Sequence, residues 1–291
     1  MSRIHDALKK AEKERSYRRM SSDGIEPPAT GPVVVASVAE TGPGETTTTG
    51  SSVAEKVREQ FPAATSWKPD TASMLFFDTS REPAGTEEFR SLRSRLYQIR
   101  QKTPLQRVMI ASALPQEGKS FIAANLAQAL ALQPDCRTLL IDGDLRNPSL
   151  HRKLGTPSRP GLTEFLLGEE EENEIIQRGP LDNLFFISSG RPVSGQTELI
   201  ANGRLKILLE RLESYFEWVI IDSPAAIPVT DAGLMAGSCD GVLVVVRSNS
   251  TQSGNVQRAL RRLPNDLIIG VVLNESQAET ELTLQQYYSA S

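Results

Sequence analysis

Residues 108–124 read VMIAS, ALPQEGKS and FIAA, and the order of these three pieces decides the fold. The first is an apolar run of strand length, and the last opens an alanine-rich helical run from Ser120. Between them, residues 113–120 satisfy A-x4-G-K-S. A strand that turns through such a loop into a helix points successive backbone N–H groups, here those of residues 116–121, at one place. The helix N-terminus adds positive potential there. A phosphate suits that place. Gly118 allows close backbone approach, Lys119 sets a point charge on β- and γ-phosphates, and the Ser120 hydroxyl is a magnesium ligand. Gln116, Glu117, Gly118, Lys119, Ser120 and Phe121 are therefore the candidate nucleotide-binding residues.

Strand-like and helix-like segments alternate outward from this loop. Strands are expected over 108–112, 138–142, 184–187, 218–222, 241–247 and 267–273. Helices are expected over 86–101, 120–132, 197–215 and 254–263. Continuous apolar strands such as VIID and VLVVV belong to a sheet covered on both faces. The expectation is an α/β fold, a doubly wound and mostly parallel sheet flanked by helices. Ligands of such sheets bind beyond the carboxyl ends of the strands, and two acidic patterns end there. LLIDGDLRNP places Asp142 and Asp144 two residues apart, both able to reach a metal or a nucleophile beside a bound magnesium triphosphate. WVIIDSP ends a buried strand in Asp222, the pattern that holds magnesium directly or through water. Asn274 ends the last strand, where it could read a nucleotide base or simply make a turn.

Composition removes other classes. The chain has 291 residues, 39% of them apolar, and a formal charge of −4, which exerts no whole-chain pull on nucleic acid. The two histidines, His5 and His151, leave little room for a zinc site or a histidine-based triad. Cys136 and Cys239 stand far apart and fit a reducing compartment. No apolar run approaches the roughly 20 residues that span a bilayer, and the N-terminus lacks a secretory apolar region. A cytoplasmic protein is expected, with a peripheral place at the inner face of the cell membrane left open.

Four regions are expected. Residues 1–20 read as an amphipathic helix with Ile4, Leu8 and Ala11 on one stripe, among seven basic and three acidic residues. A solvated helix and a docking helix both fit it. Residues 21–80, rich in Pro, Gly, Thr, Ser and Ala, read as a disordered linker, with an apolar island at 74–77 docking on the domain edge. The nucleotide-binding domain covers 81–278. A flexible tail, 279–291, carries Tyr287 and Tyr288.

Together the motifs resemble the bacterial tyrosine kinases of exopolysaccharide synthesis, a branch of the deviant-Walker P-loop proteins that also holds the MinD/ParA partitioning ATPases. The resemblance covers roughly residues 82–275 through SALPQEGKS, LLIDGDLRNP, GLTEFLLG, WVIIDSP with VTDA, DGVLVVVR and IIGVVLN. The start, MSRIHDALKKAEKER, resembles stand-alone cytosolic members. The resemblance implies ATP and Mg2+ as cofactors. Lys119 and Ser120 would hold phosphates and magnesium. Asp142 would support the metal or activate the tyrosine hydroxyl, Asp144 would share that work, and Asp222 would complete the magnesium shell. Glu87, Arg90 and Arg93, at three-residue spacing on one helix, match the family's E-x2-R-x2-R oligomerisation motif. The family also implies a homo-oligomer, a ring in some members, whose subunits offer tail tyrosines to a neighbour. It further implies a transmembrane polysaccharide co-polymerase as activator.

Three departures stand out. Gln116 replaces the usual Gly, which demands negative φ if a side chain is to be tolerated. The proline-rich stretch before E-L-L appears as SGRPVSGQTELI. The tyrosine cluster shrinks to Tyr287 and Tyr288, a pair in a polar tail that suits a phosphoacceptor. Two other readings remain. One is a MinD-like ATPase switch, although its signature lysine early in the loop is missing from residues 113–116. The other is a non-catalytic nucleotide-binding scaffold for a membrane co-polymerase.

Overall fold

The computed structural model describes residues 60–61, 66–77 and 83–275. The expected helix over 1–20, most of the stretch 21–80, and Tyr287 and Tyr288 lie outside these residues. Helix α1 (Thr86–Arg100) leads into β1 (Arg107–Ser112), the phosphate-loop helix α2 (Lys119–Ala131) and β2 (Thr138–Asp142). Three short helices follow, α3 (Leu150–Leu154), α4 (Leu162–Leu167) and α5 (Glu172–Ile175), then β3 (Ile176–Arg178) and β4 (Leu184–Ile187). Next come α6 (Gln196–Ala201), α7 (Arg204–Leu212), β5 (Trp218–Asp222), α8 (Asp231–Ala236), β6 (Gly241–Arg247), α9 (Ser253–Leu260) and β7 (Ile268–Asn274).

The seven strands form one sheet in the order β3-β4-β2-β5-β1-β6-β7. Every neighbouring pair is parallel except β3–β4. β3 is only three residues, IQR, too short to show a period in the sequence. The inner strands are apolar throughout because both faces are covered. Met109, Val219 and Val244 face a core shared with Leu208, Leu209 and Met235. Their neighbours Val108, Ile110, Ile220 and Val245 face another built on α1 and α2.

The sequence leads to one helix over 197–215, and the structure has two. Gly203 sits at φ 81, where a left-handed residue ends α6 and restarts the chain. Asn202 fixes the break, since its Nδ2 donates to the Leu166 carbonyl of α4 and its Oδ1 accepts from the Arg204 amide that opens α7.

Within the stretch read as linker, the described residues are packed on the domain. Phe61 is buried among Phe185, Tyr215 and Phe216, with ring centroids 6.4, 5.7 and 6.1 Å away. Trp67 meets Phe186 edge to face at 6.0 Å, and Met74, Leu75 and Phe76 are buried. The strap 73–76 is held by two polar side chains of α2 that are wholly buried. Asn125 Oδ1 accepts from the Leu75 amide at 2.8 Å, and Gln128 Oε1 accepts from the Phe76 amide at 3.2 Å. The Asn125 amide also donates to the Ser73 carbonyl. The apolar island expected at 74–77 thus docks on the domain through Met74, Leu75 and Phe76, while Phe61 and Trp67 are single aromatic anchors that a window average dominated by small residues hides.

Two strands start from the same kind of clasp. Asp240 accepts the backbone amides of Gln106 and Arg107 and the Arg107 guanidinium, at 2.7 Å to NH2. Glu217 treats Arg137, just ahead of β2, in the same way. Burial pushes the Asp240 carboxyl up, but the Arg107 bond and the two amides outweigh it and hold the group below its ordinary range. A carboxyl depressed by folding adds stability above its unfolded value and loses it as the pH falls through the folded one. Asp240→Asn is therefore expected to be less stable than the parent near about pH 7. In denaturant titrations the difference should shrink below about pH 4. Phe61→Ala should lower the unfolding free energy by about 3–5 kcal/mol. A loss under about 1 kcal/mol would mean that this ring lies outside the core.

Candidate active site

The tips of β1, β2 and β5 carry the motifs to one place. β2 and β5 run side by side with Asp142 opposite Asp222, so both carboxylates leave the sheet at the same level. Ile110 of β1 lies opposite Asp222, and the loop beyond β1 closes over that level. Gly118 ends the loop at φ 95, a conformation that favours glycine. A Cβ there would come within 2.0 Å of Asn274 Nδ2. Lys119 opens α2 and reaches back across the tips. Its Nζ is 2.9 Å from Asp144 Oδ2, 3.8 Å from Asp222 Oδ1 and 3.4 Å from the Ser120 hydroxyl.

Three buried acids around one ammonium make a site short of positive charge. Burial, and then the neighbouring Asp222 charge, push the Asp142 carboxyl up to about 8. Burial pushes Asp222 up to about 6, against the pull of Lys119. Burial works against the Lys119 ammonium, but Asp222 and Asp144 outweigh it and raise its pKa. Asp142 Oδ2 accepts from the Ser149 and Leu150 amides, at 3.2 and 3.0 Å. Asp142 Oδ1 and both oxygens of Asp222 are buried without a hydrogen-bond partner. Buried carboxylate oxygens left so are costly, and a hard divalent cation is what such oxygens hold best. Magnesium takes one or two carboxylates and completes its shell with phosphate oxygens and water. Asp142, Asp222 and Ser120 could hold the ion, and the amide cradle with Lys119 could hold a polyphosphate.

The loop differs from expectation at Gln116, which adopts φ 64 where a negative value was required. The left-handed conformation is kept because the next residue is fixed on every side. The Glu117 carboxylate is buried and accepts from the Leu114 amide at 2.8 Å and from the Thr251 hydroxyl. The Glu117 carbonyl accepts from Asn274 Nδ2 at 3.0 Å. Asn274 thus braces the loop with its amide nitrogen.

Glu87, Arg90 and Arg93 do not present one common face. Glu87 and Arg90 pair with each other at the surface. Arg93 turns inward and donates to the Ala129 carbonyl at the end of α2, at 2.7 Å. Phe121 packs edge to face on Phe89 at 5.8 Å, so its ring belongs to the α1–α2 contact, and the cradle receives only its backbone.

One network has no counterpart among the residues singled out in the sequence. Arg146 Nε donates to the fully buried Asp231 at 2.6 Å, and its NH2 donates to Thr197 at 2.9 Å. The Thr197 hydroxyl donates to Asp231 at 2.6 Å. The loop after Asp144 is thereby tied to α6 and α8. The strings LRNP and VTDA held the signal, but their 85-residue separation hid the pairing.

No protein-family model matches the chain. The curated tyrosine-protein kinase ptk of Acinetobacter johnsonii is 35% identical over 194 residues, 66% of this chain and 26% of that protein. The succinoglycan biosynthesis transport protein ExoP of Rhizobium meliloti (strain 1021) is 36% identical over 195 residues, 65% of this chain and 25% of its own. The chain thus matches these two curated relatives over about a quarter of their length. Among solved structures, the kinase domain of Escherichia coli tyrosine kinase ETK is 30% identical with a TM-score of 0.64, covering 70% of this chain and 82% of that domain. Thirty per cent identity across 82% of a solved tyrosine-kinase domain places the chain: it belongs to the bacterial protein tyrosine kinase family.

Proposed function

We propose that this chain is an ATP-dependent protein tyrosine kinase whose subunits phosphorylate one another on Tyr287 and Tyr288, and that it regulates exopolysaccharide synthesis and export. The observation that carries the reading is the placement of Lys119, 2.9 Å from Asp144 and 3.8 Å from Asp222, beside an amide cradle and buried Asp142 and Asp222 oxygens that accept no hydrogen bond. The polysaccharide context is supported by the likeness to a succinoglycan biosynthesis transport protein, and a transmembrane co-polymerase as activator is what the family resemblance implies. Assembly into a homo-oligomer is supported by the match of Glu87 and Arg90 to the oligomerisation motif.

Magnesium-bound ATP would supply the transferable γ-phosphoryl group. The backbone amides of residues 116–121 bind the phosphates, Lys119 neutralises charge at the β and γ positions, and Ser120, Asp142 and Asp222 orient the ion. The tyrosine oxygen forms the new bond to phosphorus as the bond to the bridging oxygen breaks. The hydroxyl proton passes to a carboxylate, and ADP carries away the leaving electrons. Asp144 is the group to receive that proton. At rest its carboxylate is paired with Lys119, and a phosphate in the cradle competes for the same ammonium. Occupation of the cradle therefore frees the base. Catalysis is positioning plus charge stabilisation, with no covalent enzyme intermediate.

Incubation of the purified chain with Mg-ATP, followed by mass-spectrometric mapping, should find phosphotyrosine at Tyr287 or Tyr288. Phosphate release without label would instead indicate an ATPase switch, and bound ATP with neither outcome a scaffold. Lys119→Met should abolish the label without loss of the folded state. Asp144→Asn separates binding from transfer. It should bind Mg-ATP as tightly as the parent or more tightly, because a competitor for Lys119 is gone, yet lose roughly 100-fold or more in transfer rate. Unchanged labelling by Asp144→Asn would remove that residue from the proton path.

A further inference from the structure

Glu117 sets a buried carboxylate inside the phosphate-binding loop. A carboxylate among amides that are to receive a polyanion opposes that anion, unless its oxygens are engaged elsewhere. Glu117 is 3% exposed, and both its oxygens are engaged. Oε2 takes the Leu114 amide, three residues back in the same loop, and Oε1 takes the Thr251 hydroxyl from the turn between β6 and α9.

That turn is itself anchored. The Ser250 and Thr251 amides donate to the Arg247 carbonyl, with Asn249 at φ 57 between the strand and the bonded residues. The Ser248 amide donates to the Asn274 carbonyl at 2.8 Å. Arg247 pairs with Glu275 at 2.6 Å. Asn274 then donates its side-chain amide to the Glu117 carbonyl. The bonds close a circuit from the phosphate loop to the β6–α9 turn, on to the end of β7, and back to the phosphate loop. The circuit surrounds Gln116, whose left-handed backbone costs on the order of 1 kcal/mol or more unless its surroundings dictate it.

Resting on the nucleotide-binding reading of this loop, we propose that Thr251 is a positioning residue for the triphosphate. Its hydroxyl holds the Glu117 carboxylate out of the cradle, and so keeps the amides of residues 116–121 aimed at the phosphates before nucleotide arrives. Thr251 has no contact with the reacting atoms in this account. It acts through Glu117, and its effect falls on binding shared by ground state and transition state. The β6–α9 turn therefore sets nucleotide affinity from outside the A-x4-G-K-S motif.

The test uses the full chain and calorimetric titration with Mg-ATP, together with transfer kinetics on Thr251→Val and Thr251→Ser. The valine variant keeps the shape and loses the donor, and the serine variant keeps the donor. The expected result is a roughly tenfold weaker Kd and a matching rise in KM for Thr251→Val, with kcat within about twofold of the parent. Thr251→Ser should bind within about twofold of the parent. Should the valine variant fail to fold, the serine variant and Thr251→Ala are read instead. Serine must then bind like the parent, and the alanine variant must lose affinity. Parent-like binding by Thr251→Val, equal weakness of the serine and valine variants, or a fall in kcat at constant KM would overturn the proposal. Each of these leaves the kinase reading intact as long as the parent takes up Mg-ATP. Failure of the parent to bind would overturn both.

Discussion

The site depends on the burial of two carboxylates that face each other across adjacent parallel strands. Asp142 and Asp222 are in register on β2 and β5, both are wholly buried, and Lys119 is the cation nearest to them. Most folds avoid such a pair because each charge raises the cost of the other. Here the cost is kept low by partial measures: two amides on one oxygen of Asp142, an ammonium beside Asp222, and Asp144 sharing that ammonium. These measures still leave buried oxygens of Asp142 and Asp222 without a hydrogen bond, the kind of oxygen that a hard divalent ion would take up. The sheet order is the means. Only when β5 lies between β2 and β1 do the two acids and the loop after β1 share one tip.

Much of this was legible in the sequence because it is local or periodic. The strand–loop–helix around Gly118, the apolar runs ending in Asp142 and Asp222, and the alternation that gives a doubly wound sheet each fit in a window of a dozen residues. Chemistry that joins distant residues was not legible. Arg146 with Asp231, and Glu117 with Thr251, each tie positions whose separation only the fold removes. Gln116 shows a third kind of limit. Its left-handed backbone was judged unfavourable by its own stereochemistry, and neighbours that no local rule includes overrode it.

Spacing puts residues 87, 90 and 93 on one side of α1, but it does not say what each side chain reaches. Glu87 and Arg90 pair with each other at the surface. Arg93, partly buried, donates to the Ala129 carbonyl in the last turn of α2 and so ties the two helices together.

The strap at residues 73–76 has a consequence for the helix it covers. Its backbone is bonded to Asn125 and Gln128, two wholly buried amides on the helix that opens with Lys119. The phosphate-loop helix therefore relies on residues that precede the first helix of the domain to satisfy its own polar groups, and buried amides stripped of such partners are costly.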